Sequence, residues 1–217
     1  MTDTALVAAP DAAVMVEDAV LRFPGTPAPS VEAFSLRVPV GGGVVLTAPG
    51  AAALAAATRA LTGLLKPFSG SVEVLGLAPD DPGLRGRVGY APARRPFPGR
   101  LTVAEAALLV ARLRGRGPDD AARALRAAGL EPGDRRQTGG LELGDVRRLA
   151  LAVALVGDPE LVVLDDPWEY PETVAALRAA RARGATVVVA SPDPGGFPDV
   201  VGPLVTLPGA PDEEEGV

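Results

Sequence analysis

The sequence of 217 residues contains no cysteine and no histidine. Disulfide bonds and thiolate metal sites are therefore excluded, and a zinc site is not expected, because these two side chains are the main zinc ligands in proteins. Aromatic residues make up only 4% of the chain, so the core must consist largely of Ala, Leu and Val. The net charge of −6 argues against nucleic-acid binding, which normally needs a basic face.

Long apolar runs are also missing from the sequence. No stretch approaches the roughly 18 residues that a membrane-spanning helix needs, and no secretion signal is visible. We therefore expect a cytoplasmic protein without direct membrane insertion, either free or held at the inner face of the membrane through a partner.

Strand-like and helix-like segments alternate along most of the chain. Alternating or short apolar runs predict strands at 14–23, 31–38, 44–47, 71–75, 87–90, 161–164, 186–190 and 200–207. Capping residues and apolar periodicity predict helices at 51–65, 102–114, 118–128, 147–156 and 171–183. This order is typical of an α/β fold with a mainly parallel sheet. We expect one domain over 14–207, with an N-terminal antiparallel layer, a helical lobe at about 91–145, and flexible tails at 1–13 and 208–217.

The stretch 44–70, VVLTAPGAAALAAATRALTGLLKPFSG, has the order of a phosphate-binding loop. A short apolar strand runs into a Pro49-Gly50 turn, and a helix begins directly after it, near Ala51. Backbone N–H groups and the positive end of the helix dipole point into such a turn. The segment therefore has the scaffold of an anion-binding site.

The side chains that complete a phosphate-binding loop are missing from this stretch. In the spacing GxxxxGK[ST], Ala48 and Ala53 occupy the glycine positions, Leu54 the lysine position and Ala55 the Ser/Thr position. Leucine cannot bridge phosphates, and alanine has no hydroxyl for a magnesium ion. Alanine also replaces glycine where the turn can require a positive φ, which carries a steric cost.

Taken together, the motifs resemble those of the ATP-binding-cassette family, the nucleotide-binding domains of ABC transporters. FSLRVPVGGGVVLTAPG and TGLLKPFSGSVEVLG resemble the segments around its phosphate loop, and RVGYAP and RLTVAEA resemble its glutamine-loop region. LELGDVRRLALAVALVGDPELVVLDDP resembles the signature motif running into the Walker B strand. The resemblance extends over about 14–207 and implies a P-loop NTPase-like fold.

The resemblance also implies roles for particular positions of this sequence. It places the adenine-stacking aromatic at Phe23, the magnesium-binding Walker B aspartate at Asp165, and the general base at Asp166, where the family has the longer glutamate. Phosphate-loop contacts fall on Gly50, Ala51, Leu54, Ala55 and Ala56, and signature contacts fall on Leu141 and Gly144.

Most of the family's catalytic residue types are absent at their positions. The loop glutamine falls on Ala93, the switch histidine falls on Pro192, and the signature LSGGQ reads LELGD, with Glu142 in place of the phosphate-binding serine. The composition agrees, because the only lysine is Lys66, the only glutamine is Gln137, and histidine is absent. No other alignment could restore lysine, glutamine and histidine together.

Asp165 and Asp166 end a predicted buried strand, where α/β folds place ligands. They could form a metal or catalytic site, or they could be inherited acids that cap neighbouring helices. Phe23 could stack on an adenine, or it could simply pack at the end of its strand.

Two further features carry open alternatives. Trp168 and Tyr170 either fill the space of a nucleotide or partner, or only pack on the surface. Arg94 and Arg95 either dock a membrane subunit, as their place in the family implies, or belong to a solvated loop.

We therefore expect a degenerate ABC-type subunit that does not hydrolyse ATP and acts as a scaffold or regulatory partner of a transporter. No cofactor is expected, and ATP and magnesium would bind only at a residual site. The implied partners are an ABC membrane subunit or another nucleotide-binding domain. Two alternatives remain open: a working ATPase subunit, and a protein-interaction module that is independent of transport.

Overall fold

The computed structural model describes residues 11–94 and 97–209. Its strands are β1 (Ala12–Leu21), β2 (Val31–Pro39), β3 (Gly43–Thr47), β4 (Ser69–Val74), β5 (Val88–Ala91), β6 (Leu161–Asp165), β7 (Thr186–Ala190) and β8 (Leu204–Thr206). Its helices are α1 (Ala51–Leu61), α2 (Val103–Leu113), α3 (Pro118–Ala127), α4 (Leu143–Leu155), α5 (Pro171–Ala182) and α6 (Phe197–Val200). Most of the two predicted tails, together with Arg95, lies outside the described residues.

The strands form two sheets, as the sequence predicts. An antiparallel sheet has the order β2-β1-β4, and a parallel sheet has the order β5-β6-β7-β3-β8. β1 begins at Ala12, so the predicted N-terminal tail is wrong for its last residues: Ala12 and Ala13 are buried and Ala12 pairs with Pro39.

The central strands β3, β6 and β7 of the parallel sheet are covered on both faces, which explains why their buried positions are nearly all apolar. In β6, Leu161 and Val163 pack toward α1 and the antiparallel sheet, whereas Val162 and Leu164 pack toward the later helices. Successive side chains of a strand point to opposite faces, so a strand between two layers needs apolar residues at every position.

Five helices follow the predicted pattern with shifted ends, but α6 was not predicted, and the last strand, predicted at 200–207, spans only Leu204–Thr206 because Val200 lies in α6. α1 ends at Leu61, four residues before the predicted end, because Gly63 adopts a left-handed φ of 73° that a helix cannot continue through. The predicted capping box of α2 is confirmed: the Glu105 carboxylate accepts the Thr102 N–H at 2.8 Å, and the Glu105 N–H donates to the Thr102 hydroxyl at 3.2 Å. Within residues 11–94 and 97–209, no helix is long and apolar enough to cross a membrane.

Candidate functional site

A cavity of about 590 Å³ lies at the edge where the parallel strands β3 and β6 end. The described residues that line it are Phe23, Ala51, Ala52, Leu54, Ala55, Arg59, Tyr90, Pro92, Ala93, Arg94, Asp165, Asp166 and Pro192. Parallel α/β sheets place ligands at this edge, beyond the carboxyl ends of the strands. The structure therefore brings together most of the positions that the sequence assigns to a nucleotide site.

Four of the assigned positions do not line this cavity. Gly50 is buried as the N-terminal cap of α1, and Ala56 is fully buried on the core side of the same helix. Leu141 and Gly144 lie at the start of α4, where Leu141 lines a separate surface groove. The signature positions of this chain are thus apart from its own phosphate-loop positions.

The loop before α1 has an apolar lining. Leu54 is only 2% exposed and packs into the core between α1 and the two sheets, while Ala55 lies half-buried at the cavity wall. The suggested steric cost of alanine does not arise, because the non-glycine residues with positive φ in the described chain are Asp18, Leu75, Asp158 and Asp166. The turn is extended instead, with a φ of −131° at Gly50.

Asp165 lies at the end of β6 with its carboxylate largely buried. The Ala93 backbone N–H donates to this carboxylate, and the Tyr90 hydroxyl lies 3.5 Å from Oδ2. Burial raises the pKa of Asp165 above the usual aspartate range, and the charge of Asp166 adds to the effect. Burial, with the neighbouring Asp165 charge, also raises the pKa of Tyr90.

Asp166 is paired with a guanidinium from its own chain. Arg147 Nη2 lies 2.5 Å from Asp166 Oδ2, and Arg147 Nη1 donates to the Asp165 carbonyl at 3.2 Å. The Arg147 side chain is 10% exposed and that of Asp166 37%. Within residues 11–94 and 97–209, neither α4 nor α5 has a side-chain cap, so neither carboxylate caps these two helices, and Asp166 adopts a left-handed φ of 49°.

Two aromatic rings lie at the start of α4. Trp168 and Tyr170 pack edge to face with ring centroids 5.7 Å apart. A Cβ placed on Gly144 would lie 2.8 Å from the Tyr170 hydroxyl and 3.7 Å from the Trp168 ring, so a larger residue here would press against the tyrosine hydroxyl. Arg148 lies 4.4 Å above Tyr170, and Arg147 lies 6.0 Å from the Trp168 ring. The aromatic pair therefore covers the signature glycine from within the chain.

Asp145, the last signature position, is also paired inside the chain. Its carboxylate contacts Arg136 and accepts a hydrogen bond from Arg148 at 3.2 Å. Arg148 in turn contacts Glu172 at 2.5 Å and Arg136 contacts Asp134 at 2.6 Å. These contacts form an ion-pair network that joins α4 to α5 and to the preceding loop.

Sequence reasoning missed three polar residues of this region: Arg59, Tyr90 and Arg147. Arg59 lies two helical turns beyond Ala51 on the cavity face of α1, and its guanidinium lies 5.2 Å over the Phe23 ring. Counting in steps of four from Ala51 would have found it. A charged residue within a largely buried helix, such as Arg147 in α4, also indicates that an acidic partner lies nearby, because a buried charge is almost always paired.

Among the described residues that line the cavity, the ionisable side chains are Arg59, Tyr90, Arg94, Asp165 and Asp166. The described lining contains no lysine, histidine, serine or threonine. Across residues 11–94 and 97–209, no group of three or more carboxylates, imidazoles or thiols is placed to hold a metal ion. The cavity is thus mixed in charge and largely apolar along α1.

Comparison with known proteins gives a family match over residues 55–169, with the description "ABC transporter". Among curated proteins, the chain is 35% identical over 163 residues to "Probable multidrug ABC transporter ATP-binding protein YbhF" of Escherichia coli, covering 72% of this chain and 28% of that protein. It is 34% identical over 172 residues to the Nod factor export ATP-binding protein I of Burkholderia orbicola, covering 73% and 56%. The chain therefore spans about a quarter of YbhF and about half of the second relative.

Solved structures with the same fold include the dimeric structure of MJ0796, a bacterial ABC transporter cassette. Its TM-score is 0.76 at 18% identity, over 90% of this chain and 94% of that one. A structure of an ATP-binding subunit of an ABC transporter gives a TM-score of 0.74 at 20% identity, over 89% and 85%. At these identities the likeness concerns the fold alone.

Proposed function

The chain belongs to the ABC transporter family, and from this premise we propose that it is an ABC-type subunit that does not hydrolyse ATP. We propose further that it acts as a scaffold or regulatory partner within a transporter. The observation that carries the proposal is Leu54, which occupies the lysine position of the phosphate loop and is 2% exposed within the apolar core. Its side chain stabilises the fold and offers no charge to a phosphate.

The loss of polar groups along α1 supports weak nucleotide binding. A hydrogen bond to a charged group contributes roughly 1.5–3 kcal/mol, so each lost contact lowers affinity by about ten- to a hundredfold. Leu54 and Ala55 remove at least two such contacts, the ammonium and the hydroxyl. The family match begins only at Ala55, after the loop's lysine position.

The pair Arg147–Asp166 supports a loss of hydrolysis. A general base must reach the attacking water with its carboxylate. Asp166 is shorter than glutamate, and a guanidinium 2.5 Å away already occupies one of its carboxylate oxygens. The described lining therefore does not fit magnesium-ATP as a substrate, although the Asp165 carboxylate remains as a single oxygen ligand.

The role in a transporter rests on the family rather than on the cavity. The curated relatives are named as ATP-binding proteins of transporters, such as the multidrug protein YbhF. We propose that this chain contacts a membrane subunit or a second nucleotide-binding domain at the inner face of the membrane. Under this proposal its contribution is a binding surface, and the energy of transport comes from another subunit.

A phosphate-release assay on the purified protein with magnesium-ATP tests the proposal. We expect a rate equal to that of the Asp165→Ala variant, which controls for contaminating ATPases. A rate clearly above this control would show a working ATPase and contradict the proposal. Affinity purification from the native cells tests the transporter role separately, and recovery without any membrane-spanning subunit or second ABC-type domain would favour an interaction module independent of transport.

A further inference from the structure

A basic groove of about 550 Å³ lies beside the cavity, between the chain after β1 and the loop that joins α1 to β4. Its three cations are Arg22, Arg59 and Lys66, and none of the described residues that line it is acidic. Lys66 is paired with Asp80 at 3.0 Å, so part of its charge is already neutralised. The two arginines therefore supply the available positive charge of the groove.

The guanidinium groups of both arginines lie over aromatic rings. Cζ of Arg22 lies 4.0 Å from the ring centre of Phe68, and Cζ of Arg59 lies 5.2 Å from that of Phe23. Within residues 11–94 and 97–209, neither arginine forms a salt bridge with an acidic side chain. An arginine that stacks on a ring can still present its fork of N–H donors to a carboxylate. Each ring thus positions a cation that an anionic partner can reach.

Apolar side chains are exposed at the same groove. Leu64 is 65% exposed and Phe68 is 63% exposed. Their backbone is fixed, because the Leu64 N–H donates to the Arg59 carbonyl at 2.8 Å and the Phe68 N–H donates to the Val20 carbonyl at 2.8 Å. A rim that is held in this way loses little conformational freedom when a ligand binds, which lowers the cost of association.

The charge and the shape of the groove together select a class of ligand. The whole chain has a net charge of −6, so a groove without a lining acid attracts an anionic partner more strongly than the rest of the surface does. A nucleic acid would offer charge but no apolar side chain for Leu64 and Phe68, and the negative charge of the rest of the chain would repel it. A peptide can offer carboxylates and an apolar side chain in one extended segment, which suits a groove.

We propose that the basic groove binds an acidic peptide segment of another protein, in which an aromatic or aliphatic residue lies next to the carboxylates. The carboxylates accept hydrogen bonds from Arg22 and Arg59, and the apolar residue covers Leu64 and Phe68. Arginines and aromatic rings are frequent anchors of such contacts. The proposal goes beyond the proposed function, because it assigns a ligand to a second surface and holds whether or not the chain hydrolyses ATP.

Fluorescence anisotropy with a labelled octapeptide, EEDFLDEE, tests the proposal on the natural chain. The control peptides are QQNFLNQQ, which lacks the carboxylates, and EEDSSDEE, which lacks the apolar side chains. In about 50 mM salt, where charges are only weakly screened, we expect EEDFLDEE to bind at least about tenfold more tightly than either control. Equal affinity of the three peptides, or no binding of EEDFLDEE, would overturn the proposal.

Matched variants test whether the peptide binds at this groove. Arg22→Gln combined with Arg59→Gln should weaken binding about three- to thirtyfold, which corresponds to the loss of two exposed ion pairs. Arg112→Gln combined with Arg126→Gln removes the same charge from exposed positions of α2 and α3, and should change the affinity by less than about twofold. Leu64→Ser should weaken the binding of EEDFLDEE at least about fivefold and leave that of EEDSSDEE unchanged. Equal losses for the two arginine pairs would indicate long-range attraction alone and contradict a site in the groove.

Two further measurements determine what occupies the groove. In NMR spectra of the natural chain, EEDFLDEE should shift the amide signals of Phe23 and Phe68 more than that of Leu109, an exposed leucine of α2, and shifts confined to other regions would contradict the proposal. Vesicles of phosphatidylglycerol and phosphatidylcholine test a lipid surface instead. Vesicle binding that depends on the two groove arginines, without peptide binding, would make the groove a membrane contact and the proposal wrong. None of these measurements contains a nucleotide, so their failure would leave the ATPase result unaffected.

Discussion

Replacing Arg147 with methionine should destabilise the fold by about 2–3 kcal/mol. Removing one partner of a fully buried ion pair costs about 3–5 kcal/mol, but Asp166 is 37% exposed and water can screen its charge. We therefore reduce this contribution to about 1–2 kcal/mol. The lost hydrogen bond from Arg147 to the Asp165 carbonyl, at 3.2 Å, adds about 1 kcal/mol. In a chain of this size, the sum lowers the melting temperature by about 4–12 °C.

Urea and thermal unfolding measure this loss of stability, and a double-mutant cycle with Asp166→Asn shows how much of it comes from the Arg147–Asp166 contact. The asparagine variant leaves no uncompensated carboxylate, so Arg147→Met should cost less in its background than in the natural chain. Arg178→Met, at an exposed position of α5, is the matched control and should stay within about 0.5 kcal/mol. An Arg147→Met protein as stable as this control, or a coupling energy near zero, would refute the ion pair as a stabilising contact.

Three further outcomes follow from burial and close contacts. Burial raises the pKa of Asp165, so the stability of the native state falls as the pH rises and this carboxyl ionises. The Asp165→Asn variant should therefore have a higher melting temperature than the natural chain near neutral pH. This difference should shrink as the pH falls toward the usual aspartate range. Leu54→Lys should lower the melting temperature without creating tight ATP binding in calorimetry, because the ammonium would lie in an apolar core. Gly89→Ala should cost about 3 kcal/mol in urea unfolding, since its Cβ would lie 2.0 Å from the Ala154 carbonyl oxygen, whereas Gly140→Ala meets open space and should be nearly neutral.

The order of the elements could be predicted because it depends on patterns within short segments. The runs at 161–164 and 187–190 are apolar at every position, as a strand covered on both faces requires. The ends of elements were less predictable. α1 stops at Leu61 because Gly63 takes a left-handed φ, and the apolar Leu64 and Leu65 beyond it suggested a longer helix than the structure has.

The contacts of the candidate site could be predicted only in part. Motif spacing was enough to predict that Leu54, Ala55 and Asp165 lie at one cavity, because each lies at the end of a strand or near the start of a helix at the same sheet edge. The pair Arg147–Asp166 joins residues 19 positions apart on different elements. Its geometry depends on the direction of both side chains and on a left-handed backbone at Asp166, which no local pattern specifies.

The position of β3 in the parallel sheet has a consequence for how the protein is synthesised. β3 pairs only with β7 and β8 among the described strands, and Gly43 is matched with Val187, 144 residues later (187 − 43). At a ribosomal rate of about 5–20 residues per second, its hydrogen-bonding partners emerge roughly 7–30 s after β3 itself. Pairing across such a sequence distance is also slow in refolding. The nascent chain therefore carries an unpaired apolar strand just ahead of α1 until β7 and β8 have been synthesised, which makes it a ready substrate for chaperones.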